Sequence, residues 1–94
     1  MSGGNSEKLL ERMENTQSGW GQNDFEKLFV GYGFNFREGK KHTIYWHPVY
    51  LQLKISVPRH NDLKPWVARE AIKLIAELNK ISVEEKDGTT NKRS

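Results

Sequence analysis

The chain has 94 residues, no cysteine and a formal net charge of +3. That length carries one hydrophobic core and not two, and the missing cysteine excludes disulfides, thiol nucleophiles and cysteine-ligated zinc. No apolar run approaches the roughly 18 residues that span a bilayer, so no membrane partner is expected. Nor does Met1–Ser6 show the basic start and apolar block of a signal peptide, and a cytoplasmic location is expected.

In chain order, Ser6–Met13 reads as a short helix with Ser6 as its cap and Leu9, Leu10 and Met13 on one stripe. Asn15–Gly21 is polar and glycine-rich linker chemistry, in which Trp20 alone has the apolar area to anchor the N-terminal piece. Asn23 then caps a second helix, with Glu26 completing a capping-box-like start and Phe25, Leu28, Phe29 and Tyr32 at i, i+3, i+4, i+7. At that spacing the aromatic stripe is core rather than a ligand site. Gly33 stops the helix.

From Phe34 the period changes to two. Phe34 and Phe36 oppose Asn35 and Arg37, and a tight turn at Gly39, with positive φ, presents Lys40, Lys41 and His42. Thr43–His47 forms a second strand, and Leu51, Leu53, Ile55 and Val57 alternate with Gln52, Lys54 and Ser56 in a third. Three successive strands predict an antiparallel meander, one face buried and the other meeting water with Lys54 and Arg37. Pro58 ends the third strand, Arg59–Asp62 is a polar loop, and Pro65 opens a helix. Its stripe of Val67, Ala71, Leu74, Ile75 and Leu78 covers the inner sheet face, while Arg69, Lys73, Glu77 and Lys80 face out.

The expected class is therefore α+β in the order α-β-β-β-α, a three-stranded antiparallel sheet with helices on one face and an N-terminal helical extension. The chain divides into that extension with its linker (residues 1–22), the folded domain (23–82) and a polar tail (83–94) with too few apolar groups to order it, read as disordered.

Charge is unevenly placed along this order. Between Gly33 and Trp66 the six cations Arg37, Lys40, Lys41, Lys54, Arg59 and Lys64 meet only the anions Glu38 and Asp62, an excess of four, while the rest of the chain nets −1. A basic middle on a near-neutral domain is what phosphate-backbone binding needs. Gly39–Pro48 gathers two lysines, two of the three histidines and two aromatics, against the plainer reading of a solvated hairpin turn.

The order of elements and three local patterns resemble the HicA family of toxin–antitoxin mRNA interferases over roughly Asn23 to Leu78. The patterns are Tyr32-Gly33-Phe34 closing the first domain helix, His42-Thr43-Ile44-Tyr45 followed by His47-Pro48, and Val57-Pro58-Arg59-His60 leading into a Pro-initiated helix. The resemblance implies a fold similar to double-stranded RNA-binding domains, endoribonuclease activity on mRNA, and inhibition by a HicB-like antitoxin protein. It puts the catalytic histidine at His42. The chain departs from the family where Lys40-Lys41 stand in place of its usual Gly-Ser pair.

RNA cleavage by attack of a 2′-hydroxyl on the adjacent phosphorus needs a base, an acid and cations, and histidine titrates close to cellular pH. No metal or other cofactor is called for. His42 is the leading acid/base candidate, with Lys40 and Lys41 stabilising the phosphorane. The second proton carrier is His60, in the polar loop, or His47. The odd separation of His42 and His47 points them to opposite faces of a regular strand, which favours His60. Lys54 and Arg59 are candidate phosphate contacts. Tyr45, if outward with Thr43, would stack on a base or bond phosphate, and otherwise is a half-buried strand residue. Two other classes compete: an RNA-binding domain of the same fold without catalysis, and a protein-interaction domain whose basic face meets an acidic partner.

Overall fold

The computed structural model describes residues 2–86, with side chains described over 6–83. The elements are α1 (Ser2–Asn15), α2 (Gln22–Gly31), β1 (Asn35–Glu38), β2 (His42–Trp46), β3 (Lys54–Pro58) and α3 (Pro65–Lys86). The strands form one antiparallel sheet in the order β1-β2-β3. The class is α+β in the expected α-β-β-β-α order, preceded by an N-terminal helix. Among the described residues no helix is long and apolar enough to cross a membrane.

Both ends of α2 are fixed by local chemistry. The helix begins one residue before Asn23: Gly21 is the cap residue, and its N–H donates to the Asp24 carboxylate at 2.9 Å. Asp24, rather than Glu26, thus satisfies the start and places an anion in the first turn, where the helix dipole favours it. At the other end Gly33, at φ +89°, lets the Phe34 N–H donate to Phe29 O at 2.9 Å and its own N–H donate to Val30 O at 3.0 Å. That is a Schellman closure, and the apolar contact that accompanies it is Phe29 on Phe34, ring centroids 5.0 Å apart. The sequence Tyr32-Gly33-Phe34 therefore turns the chain out of α2 and straight into β1.

Register fixes the sheet faces. Thr43 pairs with Val57, and Tyr45 with both Ile55 and Phe36, so these residues point together toward the helices. His42, Ile44 and Trp46 share the opposite parity with Arg37, Lys54 and Ser56, the side of the sheet that meets water. Beneath the inner face Phe29 stacks on Tyr45 at 4.8 Å. Phe25, Leu28, Val67, Ala71, Ile75 and Leu78 fill the space between α2, α3 and the sheet.

Several boundaries differ from the sequence reading. Leu51 is 65% exposed and lies in a turn, and β3 begins only at Lys54. His47 explains the delay, since its Nδ1 accepts the N–H groups of Val49 and Tyr50 and its own N–H donates to Leu53 O, folding 47–53 back on itself. Ser6 is not a cap but a buried residue inside α1, where its small side chain abuts Gly31 of α2 and lets the two helices approach closely. Met13 and Trp20 are buried in the same core as the sheet, so Gln22 marks no boundary in the packing. At the other end α3 runs through Lys86, so residues 83–86 are helical rather than tail. The rest of the expected disordered tail lies outside the described residues.

Candidate functional site

One end of the sheet, where β2 begins and β3 ends, meets the N-terminal turn of α3. A groove of about 380 Å³ opens there, lined by His42, Pro58, His60, Asp62, Lys64 and Trp66 among others. His42 and Pro58 are register partners across β2 and β3. His60 comes from the loop that follows β3, and that loop is tied to the start of α2 and to the segment before it by two backbone bonds. Gln22 N–H donates to His60 O and Leu63 N–H donates to Trp20 O, both at 2.8 Å. Trp20 is itself held by its indole N–H donating to Thr16 O at 2.8 Å, with the Arg12 guanidinium 5.3 Å from its ring centroid. The N-terminal segment thus positions the second histidine of the groove.

The β1–β2 loop carries Lys40 and Lys41, both exposed, immediately before His42. Gly39 does not adopt the positive φ expected from the sequence. Its N–H donates to His42 O at 2.7 Å, and a Cβ there would come within 3.0 Å of that same oxygen, so close approach explains the glycine. Arg59 clamps this loop. Its guanidinium donates to Gly39 O at 2.9 Å and lies 3.7 Å from the Glu38 carboxylate, while its N–H donates to Lys41 O. The expected phosphate contact thus also clamps the hairpin, with its side chain still 33% exposed. Its bonds order the lysine loop beside His42.

The remaining predicted residues fall elsewhere. Tyr45 is 1% exposed, packed on Phe29 and Phe36, and burial pushes its phenol well above the ordinary range. It cannot stack on a base or meet phosphate, and the outward placement considered with Thr43, also buried, is corrected. Lys54 is exposed on the open side of the sheet but pairs with Trp46, four residues along β2 from His42, or about 13 Å away along the strand. With Arg37 it makes that face basic at a distance from the groove. Among the described residues no group of three His, Cys, Asp or Glu side chains is placed to hold a metal ion.

His47 has a structural role. Its Nδ1 accepts two backbone N–H groups, from Val49 at 3.1 Å and Tyr50 at 3.3 Å, and its ring meets Phe34 edge-on at 5.3 Å and stacks on Tyr50 at 5.0 Å. Burial lowers its pKa below the ordinary value of 6.5. The unfolded chain therefore binds a proton more readily than the folded one, and His47's contribution is full above the unfolded pKa. It declines as the pH falls below about 6.5 toward the lowered native value. In His47→Asn the side-chain oxygen replaces Nδ1 as acceptor without titrating. Thermal melts from pH 7.5 to 5 should show a shallower acid loss in that variant than in the parent, and equal slopes would refute the assignment.

Sequence reasoning did not place Asp62, Lys64 or Trp66 in the site. Trp66 carried a usable signal: at i, i+4, i+7, i+11 it shares a helix face with Glu70, Lys73 and Glu77, opposite the apolar stripe. Compared with protein-family models, curated proteins and solved structures, the chain matches none of them.

Proposed function

We propose that the chain is a metal-independent endoribonuclease that cleaves mRNA, acting as the toxin of a HicA-like toxin–antitoxin pair. The observation that carries the reading is that two imidazoles from different elements, His42 and His60, line one groove, with the exposed Lys40 and Lys41 directly preceding His42 in the chain. One imidazole removes the proton of a 2′-hydroxyl, whose oxygen attacks the adjacent phosphorus. The other donates a proton to the departing 5′-oxygen as the P–O5′ bond breaks. Lys40, Lys41 and Lys64 offset the charge of the phosphorane. Products of this chemistry end in a 2′,3′-cyclic phosphate and a 5′-hydroxyl. A cytoplasmic setting and a HicB-like antitoxin partner belong to the same proposal. An antitoxin presenting acidic groups to the lysine loop would exclude RNA phosphates by charge and by bulk.

The test is cleavage of an end-labelled RNA in excess EDTA, beside the same RNA carrying one 2′-deoxy nucleotide at the cleavage position. Cleavage of the first and survival of the second are expected. Hydrolysis of the deoxy substrate at an equal rate would overturn the mechanism.

The substitution of Lys40-Lys41 for small residues supports a second reading, an RNA-binding domain of the same fold without catalysis. Added bulk there impedes close approach of the backbone while added charge favours its binding. RNA bound but uncut under every condition would select that reading.

A further inference from the structure

Trp66 is 46% exposed, although tryptophan carries more apolar area than most residues that remain in water. A single exposed aromatic needs no explanation by itself. Trp66 differs in its placement, in the first turn of α3, on the polar face of that helix, and in the wall of the groove that holds His42 and His60. The same wall holds Asp62, Leu63, Lys64 and Val67, of which Leu63 and Val67 are buried, and the indole still keeps nearly half of its surface in water.

We infer that Trp66 is a stacking platform for a nucleobase next to the phosphate held between His42 and His60, and that the groove takes single-stranded RNA. The inference rests on the ribonuclease reading for the identity of its ligand. An indole can stack on a base only if the base has left its own stack, so a paired duplex cannot use this surface. Lys64 follows the phosphate backbone on one side of the base, and Lys40 and Lys41 follow it on the other. The bases are not read by hydrogen-bond pattern at Trp66 itself, since every base presents a π face. Sequence preference at that position is therefore weak.

The experiment uses a 2′-O-methyl RNA oligonucleotide, which cannot be cleaved by this chemistry, free or annealed to its complement. Binding to the parent chain, Trp66→Phe and Trp66→Leu is measured by anisotropy, with circular dichroism confirming the fold. Leucine preserves apolar bulk and removes the π face; phenylalanine keeps both. Expected is tighter binding of the single strand than of the duplex, near-parental binding by Trp66→Phe, and a loss of roughly 5- to 150-fold in Trp66→Leu.

Equal binding by the phenylalanine and leucine variants, or equal affinity for single strand and duplex, overturns the stacking role. If that happens while His42→Ala still abolishes cleavage, the ribonuclease reading stands alone. Trp66-dependent binding of single strands with no cleavage of any RNA leaves the platform standing and removes the enzyme. Absence of all RNA binding, with capture of an acidic peptide instead, removes both.

Discussion

His42→Ala is expected to lower the turnover of RNA by about 10²- to 10⁴-fold, the span that a positioned proton carrier contributes, with little change in affinity. The histidine is exposed at the first residue of β2, so its removal leaves no cavity and the melting temperature should stay near the parental value. His60→Ala should produce a loss of similar order, because its imidazole lines the same groove and the proposed mechanism assigns it the opposite proton transfer. His47→Asn should cleave near the parental rate, because its ring is bound into the β2–β3 loop. The measurement is single-turnover cleavage by the parent and the three variants under one set of conditions. A His42→Ala enzyme within threefold of the parent would remove His42 from the chemistry.

The parts of this site that were legible in the sequence are those that local chemistry decides. Tyr32-Gly33-Phe34 specified the end of α2, because only glycine readily takes the left-handed conformation and a hydrophobic pair closes the motif. Pro65 specified the start of α3, whereas the parity argument that set His47 apart from His42 does not apply, since β2 ends at Trp46 and His47 lies in the loop beyond it. Tyr45 was not legible for a physical reason. In Thr43-Ile44-Tyr45-Trp46 both parities carry apolar residues, so a period of two cannot choose the inner face. The choice is made by pairing with Val57 and Ile55, whose own alternation is unambiguous, and by the Phe29 ring waiting under Tyr45. Arg59 illustrates the other limit. Its bond to Gly39 O joins residues twenty apart, so this clamp on the hairpin is decided only by the fold. Ser6 is similar, since its burial depends on where α1 crosses Gly31.

Phe29→Ala should be the most destabilising single truncation of the core. Its ring stacks on Tyr45 of β2 at 4.8 Å and meets Phe34 at a tilt at 5.0 Å, and it is fully buried. Truncating a buried phenylalanine costs about 3–5 kcal/mol through lost transfer energy and the cavity left behind. Here two ring contacts go with it, each worth roughly 0.5–1.5 kcal/mol beyond area. Against a total stability of about 5–15 kcal/mol, the variant is left close to its unfolding transition at ambient temperature. Phe36→Ala is the control, on the same sheet face and touching the same Tyr45 ring, but 38% exposed at the β1 edge. Its cost should stay near 1 kcal/mol, since part of that side chain meets water in the folded chain already. Urea titrations followed by tryptophan fluorescence separate the two, and the slope of the transition should be unchanged in Phe36→Ala. The loss in Phe29→Ala should also reach function indirectly. β1 and β2 carry the hairpin that presents Lys40, Lys41 and His42, so cleavage should fall in proportion to the unfolded fraction, while the rate per folded molecule stays parental. A Phe29→Ala protein that loses less than about 1 kcal/mol would place the centre of the core elsewhere, since even partial collapse around a truncated phenylalanine leaves a larger deficit than that.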